Sequence, residues 1–134
     1  MPLERMEHFL VNSEDIDRTK DFYCEVLGMK EGFRPKLSFA GYWLYLGDIP
    51  CIHIADWEGY QVFTKEMDIP ISTLADGTGP LDHIAFNASD YDGMVAKLKA
   101  LGLSFKHNEL DEIGLRQIFV RDPNGLCIEL NFRS

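Results

Sequence analysis

His8, His53, His83 and Glu129 each interrupt a short apolar stretch, in MEHFLVN, CIHIAD, LDHIAFN and CIELNF respectively. Imidazole nitrogens with a carboxylate oxygen are the natural donor set for a borderline or hard divalent ion, and two histidines with one carboxylate form the facial set of non-haem iron sites. A fourth protein donor suits an octahedral ion that keeps about two positions for substrate or water. A lone histidine in an apolar strand is more often a hydrogen-bonded core residue than a ligand. A carboxylate is a different matter, because burying one unpaired is costly, so Glu129 between Ile128 and Leu130 tips the balance toward metal.

The four residues recur in register. MEHFLVN and LDHIAFN share one pattern of apolar residue, acid, histidine, apolar residue, two further residues and asparagine, with His8 and His83 about 75 positions apart. An acidic turn and an amphipathic stretch ending in Leu-Gly follow each of them, from Asp15 to Gly28 and from Asp90 to Gly102. Each half then closes on Cys-Ile-His or Cys-Ile-Glu. Landmarks in the same order at a nearly constant offset indicate a duplicated module packed about a pseudo-twofold axis. Because side chains alternate along a strand, Phe9, Val11, Ile52 and Ile54 take one face and His8 and His53 the other. Likewise Ile84, Phe86, Ile128, Leu130 and Phe132 oppose His83 and Glu129. The four polar residues are thereby expected on the helix-free face, gathered by the twofold.

Each module reads as strand, helix and three strands. Ile16, Thr19, Tyr23, Val26 and Leu27 fall at helical spacing behind Ser13 or Asp15 as a cap, and Tyr91, Met94, Val95, Leu98 and Leu101 do so behind Asp90. Later strands are expected at Lys30–Pro35, Leu37–Leu46 and Ile49–Ala55, then Ser104–His107, Leu115–Arg121 and Leu126–Phe132. Asp122-Pro123-Asn124-Gly125 is a strong turn signal and makes the last two strands a hairpin. The expected fold is α+β: two tandem βαβββ modules, residues 5–57 and 81–134, forming a curved mixed-sheet cup with helices on its outer face. Residues 58–80, with Pro70, Gly77 and Gly79 and no firm periodicity after Phe63, read as a linker, a lid or a partner-binding arm.

With 13 basic and 22 acidic residues the net charge is −9, which repels phosphate backbones and anionic lipid, so neither nucleic acid nor membrane is an expected partner. No apolar run approaches the roughly 18 residues that cross a bilayer, and MPLERMEHFL carries charges where a signal peptide would be apolar. A cytoplasmic protein is expected. Cys24, Cys51 and Cys127 are an odd, sparse set and read as reduced thiols.

From Met6 to Phe132, through the two histidine motifs and RDPNGLCIELNF, the chain resembles the vicinal oxygen chelate superfamily, which holds glyoxalase I, extradiol dioxygenases, methylmalonyl-CoA epimerase and fosfomycin resistance enzymes. The resemblance implies one divalent metal ion (Fe, Ni, Zn, Mn or Co) in the cup, with ligands at His8, His83 and Glu129 and a fourth from the strand of His53, where glyoxalase I and the epimerase carry Glu or Gln. It implies Lewis-acid chelation of two adjacent oxygens of a small substrate and proton transfer by a base near the ion, in the manner of a lyase or isomerase, with Glu129 a candidate base. It also implies a homodimer. Tyr42 is a candidate proton donor if its strand lines the cup, and Arg116 a candidate clamp for a substrate carboxylate or else a solvated surface residue. An extradiol-type iron dioxygenase is the alternative if His53 hangs back from the ion, and a metal-free bleomycin-resistance-like binding protein is the rival without chemistry. Lys106 keeps a fosfomycin-type thiol transferase in view. That branch ranks last, because Leu10 replaces the expected hydroxyl residue and the potassium loop is not evident.

Overall fold

The computed structural model describes residues 4–68, 81 and 83–133. It divides into two compact units, residues 1–73 and 74–134. Each unit is one βαβββ module. In the first, β1 (Phe9–Ser13), β2 (Lys30–Gly32), β3 (Gly41–Leu46) and β4 (Ile49–Asp56) form a mixed sheet in the order β1-β4-β3-β2, with β1 and β4 parallel and the other pairs antiparallel. The second repeats this as β5-β8-β7-β6, built from β5 (His83–Ala88), β6 (Phe105–Leu110), β7 (Leu115–Arg121) and β8 (Cys127–Phe132).

Alternation along the strands decides what is buried. Ile52 and Ile54 with Leu44 and Val11 make the core of the first unit, under Phe22, Tyr23 and Val26; Ile118, Val120, Ile128, Leu130 and Phe132 make that of the second, with Leu98. Helix α1 (Ile16–Asp21) starts where the Asp15 carboxylate accepts from the Arg18 amide, and a buried Ser13–Thr19 hydroxyl pair at 2.9 Å ties its first turn to the end of β1. Instead of continuing as one α-helix to Gly28, the chain widens into a π turn over Phe22–Val26. The extra residue in the turn accommodates the adjacent aromatics Phe22 and Tyr23, both of which are buried. Helix α3 (Tyr91–Ala100), capped by Asp90 through the Gly93 amide, lies where Tyr91 meets Phe132 edge-on.

Four boundaries differ from the sequence expectation. The strand expected at Lys30–Pro35 is only β2, ending at Gly32. The strand expected from Leu37 begins only at Gly41, because the Arg34 guanidinium takes the Phe39 carbonyl at 2.8 Å and turns it out of the ladder. Strand β6 runs on past His107 to Leu110. The segment from residue 58, expected as linker, begins with helix α2 (Trp57–Met67), which lies against β4 and β1 and packs Tyr60 and Phe63 on Phe39. Residues 69–80, with Pro70, Gly77 and Gly79, lie outside the described residues. The terminal turn is as expected: the Asp122 carboxylate accepts from the amides of Asn124 and Leu126, and Gly125 supplies the positive φ of 87°.

Asp56 closes β4 and caps α2, its Oδ2 accepting from the Gly59 amide at 3.0 Å. Asp56→Ala is expected to cost about 1 kcal/mol of stability, the typical loss of a cap acceptor, read as a lower denaturant midpoint with an unchanged slope.

Candidate metal centre

In the first unit the register sets His53 opposite Leu10 on β1 and Trp43 on β3, and His8 immediately precedes β1. Three flat rings stack there: His8 on His53 with centroids 3.7 Å apart and planes 14° from parallel, and His53 on Trp43 at 4.0 Å and 8°. Each imidazole has one nitrogen engaged by its own neighbourhood. His8 Nδ1 lies 2.8 Å from the Glu7 carboxylate, an acceptor, so it carries the proton and Nε2 keeps the lone pair. His53 Nε2 lies 3.1 Å from the Pro50 carbonyl and therefore donates to it, which leaves the lone pair on Nδ1. Burial, and then the nearby His8 and Arg34, push His53 down to about 4 against the opposing pull of Pro50 and Glu7, so the ring is neutral at pH 7.

In the second unit β5 and β8 run parallel, with His83 opposite Cys127 and Ala85 opposite Glu129. His83 Nε2 stands 3.5 Å from Glu129 Oε1. The other carboxylate oxygen, Oε2, accepts from Asn131 Nδ2 at 2.8 Å. The Glu129 side chain is 16% exposed, so these two partners are its nearest polar neighbours in a largely dry setting.

Within each unit the metal-type donors therefore come as a pair, and among the described residues no group of three forms within a unit. Each pair is of a kind that suits a divalent ion: in the first unit imidazoles with assigned lone pairs, in the second an imidazole beside a carboxylate whose other oxygen is anchored. The stack sets a condition on that fit. Lone pairs lie in the ring planes, and two nearly parallel rings stacked 3.7 Å apart cannot both direct them at one point, so in this arrangement only one of the two could serve an ion. Burial also raises the Cys51 thiol, which disfavours thiolate ligation there.

Tyr42 and Arg116 are placed elsewhere. Tyr42 pairs across the ladder with Ile54, on the face opposite Trp43 and His53, and its hydroxyl donates to Asp17 of α1 beneath Lys20. Arg116 pairs with Phe132 on the helix-covered face and stacks on Tyr91 at 4.1 Å. Tyr42 is thus on the face away from the histidines of its unit, and Arg116 on the face away from His83 and Glu129 in its own. The hydrogen bond to Asp17, with burial and then the Asp17 charge, pushes the Tyr42 phenol up to about 12. The neutral phenol is thus favoured by folding; that contribution is complete below pH 10, the ordinary tyrosine value, and fades as pH rises through about 12. In a phenolate absorbance titration Tyr42 is expected to ionise well above the ordinary tyrosine range, and Asp17→Asn to bring it back toward that range.

Unnoticed in the sequence were Glu7, which orients His8, and Asn131, which orients Glu129. Parity could have found Asn131, two residues along the same face. Also in the second unit is a cavity of about 560 Å³ lined by Lys106, Phe119, Arg121 and Cys127 among others. Phe119, in its lining, is the cross-strand partner of both Glu129 and Lys106.

A family profile described as the glyoxalase/bleomycin resistance protein/dioxygenase superfamily matches residues 5–130, and the chain belongs to that superfamily. Its fold is shared by a lactoylglutathione lyase from Agrobacterium tumefaciens, 19% identical over 98% of this chain and 96% of that one, with a TM-score of 0.66. It is shared too by TnmS3, an antibiotic binding protein from Streptomyces sp. CB03234, at 23% identity, 100% and 99% coverage and a TM-score of 0.69. A third is a single-residue variant of the genomically encoded fosfomycin resistance protein FosX from Listeria monocytogenes, complexed with Mn(II) and a dihydroxypropylphosphonic acid, at 17% identity, 98% and 94% coverage and a TM-score of 0.71.

Proposed function

We propose that this chain is a divalent-metal-dependent enzyme that acts on a small vicinally oxygenated substrate by proton transfer, as a glyoxalase-like lyase or isomerase does. The observation that carries the proposal is the His83–Glu129 pair at 3.5 Å, one carboxylate oxygen anchored by Asn131 and the other facing an imidazole. His8, His83 and Glu129 would hold the ion, and His53 would join them only after its ring leaves the stack with His8 and Trp43. When bound, the ion supplies Lewis acidity to adjacent substrate oxygens. The protein's own groups do the rest: Glu7 keeps the His8 lone pair on Nε2, Trp43 and His53 offer a flat aromatic wall, and Lys106 and Arg121 flank the cavity with positive charge. In a chain of net charge −9, two cations beside one cavity suit a substrate that carries an anionic group. A homodimer in the cytoplasm completes the proposal.

The stacked His53 favours a second possibility, an extradiol-type dioxygenase, because oxygen chemistry wants three protein ligands and more open positions. A metal-free binding protein is the rival from another class. Metal analysis after purification without added metal, then chelation and re-addition of nickel, zinc, iron or manganese, separates these. About one ion per chain, with a higher melting temperature on re-addition, is expected for either enzyme. A stoichiometry near zero with no stabilisation contradicts both and leaves the binding protein. His53→Ala then divides the enzymes: weakened metal retention marks the four-ligand lyase or isomerase, unchanged retention the three-ligand dioxygenase.

A further inference from the structure

Glu129 is the end point of a line of side-chain hydrogen bonds that crosses three strands. Asn108 Nδ2 on β6 donates to Gln117 Oε1 on β7 at 3.2 Å, Gln117 Nε2 donates to Asn131 Oδ1 on β8 at 3.1 Å, and Asn131 Nδ2 donates to Glu129 Oε2 at 2.8 Å. The ladder register builds the line, since Asn108 lies opposite Gln117 and Gln117 opposite Asn131, all on the face of Glu129. Its direction follows from the carboxylate. An ionised Glu129 can only accept, so it takes the NH₂ end of Asn131; the Asn131 carbonyl then faces Gln117, and the same logic orients Gln117 toward Asn108. Three amide dipoles thus point their donors at one charge and polarise one another, and the shortest bond is the one that meets the charge.

We infer that Asn131, backed by Gln117 and Asn108, is a positioning residue that pins Glu129 Oε2 so that Oε1 is presented to an ion shared with His83. This rests on the metal-dependent function proposed above. It assigns Glu129 a fixed role: a carboxylate held at one oxygen by a three-amide relay is an anchor for the ion, and swinging it away as a mobile base would break its shortest hydrogen bond. Metal ligands held by such outer partners typically lose about 10–100-fold in affinity when the partner is removed.

The test uses Co(II) as the probe ion and the full chain. Asn131→Leu is expected to weaken Co(II) binding by about 10-fold or more and to alter the visible Co(II) spectrum, with Gln117→Leu, one bond further out, giving a smaller loss in the same direction. Gln117→Leu also serves where Asn131→Leu does not fold. A lower melting temperature in both variants with unchanged Co(II) affinity and spectrum overturns the inference, because that is what a purely structural brace would give. A metal-free readout tests the relay by itself: Glu129→Ala is expected to shift the side-chain amide resonances of both Asn131 and Gln117. Wild-type protein that takes up no Co(II) overturns the metal-dependent function and the ion-positioning role with it, whereas a Gln117 amide indifferent to Glu129→Ala overturns the relay alone.

Discussion

Glu129→Ala is expected to lower divalent-metal affinity by about 100-fold or more, beyond the 10–100-fold that loss of an outer partner costs, because it removes the sole carboxylate of the proposed set. Isothermal titration with Zn(II) or Co(II) on chelator-treated protein reads this directly. Folding is the confounding factor, since truncation also leaves the Asn131 amide without its acceptor, a loss of about 1–3 kcal/mol if the group stays dry. Glu129→Gln answers it. The glutamine keeps the shape and a carbonyl acceptor for Asn131 but not the charge, so its melting temperature should stay near that of wild type while metal affinity falls nearly as far as in the alanine variant. Metal binding that survives both substitutions would remove Glu129 from the site.

Phe132→Ala is expected to have the largest effect on stability, about 3–5 kcal/mol, the range for deleting a buried phenylalanine. Phe132 is 1% exposed, lies opposite Ala88 on β5 and Arg116 on β7, and receives the edge of Tyr91 from α3. Its removal opens a cavity at the junction of strand and helix that neighbouring rigid elements cannot refill. Against the roughly 5–15 kcal/mol total of a natural domain this is a large fraction, so the denaturant midpoint should drop steeply. A loss below about 1 kcal/mol would mean that the second unit does not bury this ring as described.

The duplicated βαβββ order was legible because it rests on signals a chain cannot hide: apolar alternation in the strands, Asp90 and Gly102 bracketing a helix, and a turn at Asp122–Gly125. The same alternation correctly opposed His53 to Ile52 and Ile54, and Glu129 to Ile128 and Leu130. Partner faces across a ladder were harder. Tyr42 stood as a candidate proton donor until the register paired it with Ile54 and set Trp43 opposite His53, and that register is shifted by an irregularity between Leu44 and Leu46 that no composition rule announces. For Arg116 the clue was present: it shares parity with the buried Ile118 and Val120, and the guanidinium reaches its place on that face by lying over the Tyr91 ring. Helix α2 was missed and its span read as linker, although Asp56 is a good cap and Trp57, Tyr60, Phe63 and Thr64 fall three or four apart. The ring stack of His8, His53 and Trp43 and the amide relay to Glu129 depend on rotamers and cross-strand register, which sequence spacing does not encode.

Anomalous scattering from crystals of protein loaded with a single divalent metal tests the central claim most directly. One strong peak per chain is expected within about 2.0–2.2 Å of His8 Nε2, of a ring nitrogen of His83 and of Glu129 Oε1, with Asn131 still on Oε2. A peak bound by other residues, or His8 and the His83–Glu129 pair too far apart to share an ion even between two copies of the chain, would contradict it.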